Sequence, residues 1–595
     1  MSGRKIAALG TLLLLVLSVV QPAAGQALTG YFEDGSITFE GRTDRSLGVI
    51  EQNTYFNNSW ATIQLTITKT IPSDKVENLK VWDGSGNISF TTSVSNGNTI
   101  LTFQTRNISG KGRYTYSISY DVGGAVRGSA YEYLIPAWGF TAEARYNRYS
   151  VTVKGPAETY PFLSMENAVL ISTDPPTWQY TTSLEKGEKI PSFQSRFYVS
   201  PAPYRLKMRI PIYGPASGSA TGVVLDLVVL TDEIPSQFSS VISSNYQPNG
   251  AYFDADNNLH LIFKIGEIAA GEVKEVEVDL LCEVKVHDQG IRPENVGGFL
   301  EIPRNLENYT VPGEGWESDN PLIFQMAKNL VAGETNVYNA AKKIHEYVVE
   351  RLEYEIQDVR RGALWAFSNR RGDCSEYTDL SIALARAAGI PARAIYGWGY
   401  SGEDNLVEHA WPEFYLPGVG WQPSDPTWAE TTGDYFTRSE TVHIARNIRG
   451  VISGEATSKM TFYGASPEFG KSQNSVYPII SSEIKQAHIA AAEYCLKIAE
   501  NLFTVENEVL AEKLQLAKSE LEAAKRAENT AESISRARNS ISCSKEIIRV
   551  LGKPYAEKGF AIPQELLLGL IAILVVVGIG VGIAKLRTRK EEDFH

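Results

Sequence analysis

GDCSEYTDLSIALARAAGIPARAIYGWGY, residues 372–400, and EHAWPEFYLPGVGWQPSDPTW, residues 408–428, decide how the rest of the chain is read. In the first, Leu380, Ala383, Leu384, Ala387 and Ala388 recur at helical spacing, with Gly389 as a stop and Pro391 beyond it. This predicts an amphipathic helix with Cys374 in its first turn. The free N–H groups and positive dipole end there favour an anion. Arg370 and Arg371 lie just upstream. Both effects should draw the thiol from an ordinary pKa of about 8.5 toward the thiolate, the attacking species. Residues 393–400 and 409–416 read as two strands, rich in aromatic and β-branched side chains, joined across a Gly-Glu-Asp-Asn turn. A cysteine taken alone is as often a small buried hydrophobe, so the weight falls on what accompanies it.

Three blocks accompany it in order: Gly372-Asp373-Cys374 opening the helix, His409-Ala410-Trp411 opening a strand, and Asp425-Pro426-Thr427 on the next strand. Gly389-Ile390-Pro391-Ala392-Arg393 lies between the first two. Together they resemble the core of the transglutaminase-like superfamily, a branch of the papain-like cysteine enzymes, in a membrane-anchored prokaryotic form. The resemblance implies an α+β catalytic domain at 320–450 and acyl transfer from an amide through a thioester on Cys374. His409 would hold the proton and pass it to the leaving group. Asp425 would set the tautomer and direction of the imidazole. The Cys374 amide is one expected oxyanion donor. The family draws the other from an upstream Trp, Tyr or Gln, which makes Trp365 and Tyr354 candidates; each also reads as a packed aromatic. Trp398, Tyr400, Trp411, Trp421 and Trp428 either line a substrate cleft or pack the core. Water as second nucleophile would make a peptidase, and a lysine amine a crosslinking enzyme. The alternative is a catalytically inactive surface binding or structural module that keeps the fold. No ligand cluster implies calcium, zinc, another metal or an organic cofactor.

At 595 residues the chain is too long for one core, and about three or four domains are expected. With 43% hydrophobic and 21% charged residues it reads as globular. Its net charge of −13 argues against a nucleic-acid partner. Only 4 cysteines exclude a disulfide scaffold. Residues 1–25 read as a signal peptide: Arg4-Lys5, an apolar run, then Ala23-Ala24-Gly25. Residues 566–584 carry no charge and would span about 28 Å as a helix. We expect a transmembrane helix at 564–586. Lys585, Arg587, Arg589 and Lys590 follow, so a short cytoplasmic tail at 587–595 and an extracellular body at the cell membrane are expected. The expected partners are a protein or peptide substrate and the bilayer. Gly578 and Gly582, or the helices described next, offer a route to a homo-oligomer.

Between these ends, 26–200 is rich in short alternating runs such as residues 61–68 and 114–120, punctuated by Asp83-Gly84, Asn96-Gly97 and Gly123-Gly124. It reads as a β-sandwich, and 201–290 as a second. Asp254, Asp256 and Asn258 mimic the start of a calcium loop, but Leu259 and Ile265 stand where it needs Gly and an acid; a plain turn is expected. Asn57, Asn87, Asn107 and Asn308 each open an N-x-Ser/Thr sequon and are candidate glycosylation sites. His345 and His443 read as structural, and 450–478 as a loop-rich return. From 479 to 551 there is no Gly or Pro, and a heptad seam runs through Ile484, His488, Ala491, Cys495, Ile498 and Leu502. This predicts, at 479–552, an antiparallel three-helix bundle with breaks near 503 and 529, capped by Thr504 and Asn529. The first and third helices would then run parallel, bringing Cys495 and Cys543 to similar height as a candidate disulfide. Cys282 is left without a partner, in a strand. The fold class expected is therefore multidomain α+β.

Overall fold

The computed structural model describes residues 15–16, 18–22, 30–400, 406–451, 458–504 and 507–555. The 564–586 helix, its basic flank, Gly578 and Gly582, the 402–405 turn and most of 1–25 lie outside the described residues. Among the described residues no helix is long and apolar enough to cross a membrane. Of the leader stretch, Ser18–Pro22 pairs antiparallel with Leu65–Ile71, and Leu15–Val16 pairs with Gly139–Thr141.

Alternating sequence becomes sheet as expected. An eight-stranded sheet runs through Tyr146–Lys154, Tyr31–Gly41, Leu47–Phe56 and Arg113–Val122 at its centre. It shares one apolar core with a four-stranded sheet of Ser18–Pro22, Leu65–Ile71, Asn98–Gln104 and Phe90–Ser95. Period-2 burial along these strands, such as Leu65, Ile67, Lys69 and Ile71 inward, is what glues the layers. Asn57 is corrected as a glycosylation site. It is fully buried, and its Nδ2 donates to the carbonyls of Ala61, Ile108 and Ser109 at 2.8, 3.2 and 3.1 Å, so no sugar can be attached in the folded chain. Asn87, Asn107 and Asn308 are exposed.

The second sandwich is completed from far along the chain. Ala202–Tyr213 pairs with Val273–Val284 on one side and with Gln473–Pro478 on the other. Ser219–Val228 pairs with Leu259–Ala269 and with Lys459–Gly464. The return at 450–478 is thus strand-bearing, and the unit expected at 201–290 brackets the segment that carries Cys374. Asp254 closes a turn by accepting from the Asp256 and Asn258 amides, each at 2.9 Å, and pairs with Arg449 at 3.0 Å. Cys282 is buried in its strand.

Helices α1 (Pro321–Leu330), α2 (Val337–Arg351), α3 (Ala363–Asn369), α4 (Cys374–Ala388) and α5 (Pro426–Thr432) pack with a four-stranded sheet. Its order is Gly420–Pro423, Leu406–Leu416, Ala392–Tyr400, His443–Arg449. The C-terminal bundle comprises α6 (Ile484–Leu502), α7 (Glu508–Arg526) and α8 (Thr530–Leu551). Asn529 caps α8, but α7 is capped by Asn507, whose side chain accepts from the Leu510 amide; Thr504 is not the cap. The bundle lies on the second sandwich, with α6 against Gln237–Ser244 and Lys545 donating to the Ser239 carbonyl at 2.8 Å. Cys495 and Cys543 are both free thiols. Cys495 points at the Ile541 carbonyl, 3.8 Å away. Cys543 lies two residues on, about 200° around the helix, on the side that feels Lys513 and Glu520 of α7. Equal height does not supply equal direction.

Candidate active site

Helix chemistry holds the sulfur. Asp373 is the N-cap of α4: its side chain accepts from the Ser375 amide at 2.9 Å, while Glu376 accepts from the Asp373 amide at 3.0 Å. This reciprocal box fixes the first turn. Gly372 belongs to the same device, since a Cβ there would stand 2.2 Å from the Cβ of Glu376. Gly389 takes φ +88° and ends the helix. Residues 376–388 are all buried, whereas Cys374 is partly exposed.

His409 lies on Leu406–Leu416, opposite Gly397. Its Nε2 donates to Asp425 Oδ2 at 2.7 Å, and the ring also hydrogen-bonds Cys374. Asp425, expected on a strand, is instead the N-cap of α5, with Oδ1 accepting from the Trp428 amide at 3.0 Å. The strand ends at Pro423. Asp followed by Pro is an N-cap and first-turn pair, which starts a helix. One carboxylate oxygen is therefore held by backbone and the other faces the imidazole.

A second imidazole shares that oxygen. His443 Nε2 donates to Asp425 Oδ2 at 2.9 Å, and its Nδ1 lies 2.6 Å from Glu440 Oε1. Glu440 Oε2 accepts from the Val442 amide at 2.7 Å. Sulfur, imidazole, carboxylate, imidazole and carboxylate form one line, with every member after the sulfur buried. No sequence motif marks His443 or Glu440. Sheet pairing brings His443 in, opposite Gly399.

Electrostatics follow from that line. Burial opposes charging His409, but the charge and hydrogen bond of Asp425, with Cys374, hold it up at about 9. Burial opposes charging His443 likewise, and Glu440 and Asp425 hold it up at about 10. Burial would raise Asp425, yet the two imidazoles keep it well below the ordinary carboxylate range. His409, Asp425 and His443 offer three atoms within 4.8 Å of one another, a grouping that could hold a metal ion. As donors to Asp425, both rings would have to lose a proton first.

Trp411 and Trp428 wall the pair. Their rings stand 5.7 Å each from His409, and 5.0 and 4.3 Å from His443. Trp411 is buried, so it packs the imidazoles and does not face an open cleft. Tyr354 is 39% exposed, and its phenol is raised to about 12, first by burial and then by the charge of Cys374. Trp365 sits on α3 with the guanidiniums of Arg361 and Arg371 each 5.9 Å from its ring. His345 is a buried neighbour, 2.8 Å from Ser424 Oγ, brought down to about 4 by burial.

Residues 325–426 match the transglutaminase-like superfamily. The chain carries a transglutaminase-like domain. Over 167 residues it is 26% identical to the uncharacterized protein YebA of Bacillus subtilis, covering 24% of this chain and 22% of that one. Over 160 residues it is 27% identical to an uncharacterized protein of Haemophilus influenzae, covering 20% and 43%. Over 72 residues it is 40% identical to a protein-glutamine gamma-glutamyltransferase of Pseudomonas aeruginosa, covering 10% and 11%. The chain spans less than half the length of each of these relatives. Among solved structures, a candidate cysteine protease from Cytophaga hutchinsonii aligns at 15% identity and TM-score 0.36, over 47% of this chain and 92% of that one. The periplasmic domain of TgpA from Pseudomonas aeruginosa aligns at 17% and 0.21, over 38% and 90%. Neither superposition is close enough to carry weight. The transglutaminase-like domain has the general fold of the cysteine enzymes, and the remainder of the chain is strand-rich with a helical C-terminal region.

Proposed function

We propose that the protein is a cysteine acyl-transferase or peptidase acting on protein amide bonds. Cys374 attacks the amide carbonyl, and a thioester forms as the C–N bond breaks. His409, as imidazolium, protonates the departing amine or ammonia. Water or a primary amine then takes the acyl group and restores the thiol. Asp425 keeps Nε2 of His409 engaged, which leaves Nδ1 for the sulfur. The observation that carries this reading is the contact of a partly exposed sulfur with an imidazole that is itself bonded to a buried carboxylate. The glutamyltransferase relative, similar over a short stretch only, favours glutamine side chains as acyl donors.

Iodoacetamide labelling near neutral pH tests the reading. Cys374 should label well ahead of Cys282 and Cys495, which are buried, and His409→Ala should remove the advantage. Labelling no faster than an unfolded thiol would instead support an inactive module. Incubation with a glutamine peptide and a primary amine, read by mass spectrometry, separates the two chemistries: conjugates mean transfer, and cleaved peptide means hydrolysis.

A further inference from the structure

The N-terminal sandwich buries a second reactive group, remote from Cys374. Strand Leu47–Phe56 turns Val49, Glu51, Asn53 and Tyr55 inward, and strand Leu65–Ile71 of the other sheet turns Leu65, Ile67, Lys69 and Ile71 inward. Glu51, Asn53 and Lys69 are 3%, 1% and 1% exposed. Lys69 Nζ is in direct contact with Glu51 Oε2. The other oxygen, Glu51 Oε1, accepts from Asn53 Nδ2 at 2.9 Å. Asn53 also hydrogen-bonds Tyr116, its partner across the strand pair, while Asn53 Oδ1 has no hydrogen-bond partner. The rings of Tyr116 and Phe103 meet edge to face at 5.4 Å. An ammonium wants three acceptors, and this apolar core gives it one carboxylate.

We propose that Lys69 and Asn53 are joined by an intramolecular amide that ties one sheet to the other, with Glu51 carrying the proton. The Nζ lone pair attacks Cγ of Asn53. The new C–N bond forms, one Nζ proton passes to the Glu51 carboxylate, and Glu51 delivers it to Nδ2. The Cγ–Nδ2 bond then breaks and ammonia leaves. Lysine amine plus carboxamide becomes amide plus ammonia, Glu51 ends as it began, and no oxidant or cofactor is required. The reacting partner is Asn53 because a carboxylate is a poor electrophile, whereas the nitrogen that must depart already donates to Glu51. Burial pulls Lys69 down to about 7, so much of it is the free amine, the nucleophilic form, near neutral pH. A cross-link between strands of facing sheets restrains the unfolded chain and holds the sandwich shut. Nothing in this step depends on Cys374.

Peptide mapping of the full-length protein decides the matter. Between Arg45 and Lys69 trypsin has no site, and an acylated Lys69 is not cut. The expected product is the peptide from Ser46 to Lys75, one ammonia lighter than its sequence, whose two halves stay joined after a second cut at Tyr55. Glu51→Ala should leave Lys69 free, so that trypsin cuts there and the peptide from Ser46 to Lys69 appears at its unmodified mass. Asn53→Asp, which puts a carboxylate in place of the carboxamide, should likewise give the unmodified peptide ending at Lys69. An unmodified wild-type peptide, halves that separate, or a bond mapped to Lys69 and Glu51 would each overturn the proposal. A retained bond in Glu51→Ala would overturn the role of Glu51. Should either variant fail to fold, the wild-type map alone is decisive.

Discussion

Of the sites where charge is buried, those around Asp425 and around Lys69 are solved differently. Around Asp425 opposite charges alternate: two imidazoles held charged, two carboxylates, and a partly exposed sulfur at the end of the line. Around Lys69 there is no exposed member, the cation is drawn down toward the neutral amine, and a carboxamide takes the place of a second acid. A cluster with one member at the surface can act on another molecule. A cluster with none can react only with itself. Burial costs both of them desolvation, and the exposure of one member separates the two outcomes.

The largest effect expected is from Asp425→Asn. It keeps the cap of α5 but removes the charge that holds both rings. Acyl transfer measured on a glutamine peptide should fall by roughly 10²–10⁴-fold. Activity near that of the wild type would mean that the Asp425 cluster is packing, as inert toward other molecules as the Lys69 cluster.

A smaller effect sharpens the role of the second imidazole. Transfer needs the His409 imidazolium, so activity should fall as pH rises through about 9. His443→Gln removes a neighbouring cation, and the basic limb should then move to higher pH, with a stability loss of about 1.5–3 kcal/mol for the charged hydrogen bond. A limb that stays in place would separate His443 from the electrostatics of His409. The matching stability trend has two signs. His409, raised on folding, stabilises fully below its ordinary 6.5 and loses that contribution as pH climbs through about 9. Asp425, depressed on folding, stabilises above its ordinary 3.8 and loses that contribution as pH drops through its lowered value.

The smallest effect concerns the sandwich that holds Lys69. Asn57→Ala strips the Ala61, Ile108 and Ser109 carbonyls of a shared donor and should cost about 1–3 kcal/mol in thermal unfolding. No loss would mean that buried polar groups in this sandwich are loosely satisfied, which would weaken the contrast with the tightly partnered Asp425.

Local chemistry was legible in the sequence. α4 and the three bundle helices were readable because helical spacing, Gly389 and Asn529 act within a few residues of the elements they bound. The same local rule also explains the two departures: Asp425-Pro426 caps a helix where a strand is expected, and Asn507 takes the cap expected of Thr504. Lys69 sat in plain view in an inward slot of an alternating strand, but nothing near it in the chain says that Glu51 and Asn53 lie opposite. The strands Lys459–Gly464 and Gln473–Pro478 were unreadable because they are sheet only where Ser219–Val228 and Ala202–Tyr213 offer an edge.

By itself the sequence determined where helices begin and end, which strands alternate, and that a thiol opens a helix, because hydrogen bonds and capping are settled over one or two turns of chain. Only the tertiary structure decided that Asp425 serves two imidazoles, that Cys495 and Cys543 face apart, and that a lysine is enclosed with a carboxamide. Those outcomes depend on which distant segment covers a group and takes away its water, and burial of that kind is a property of the packed chain.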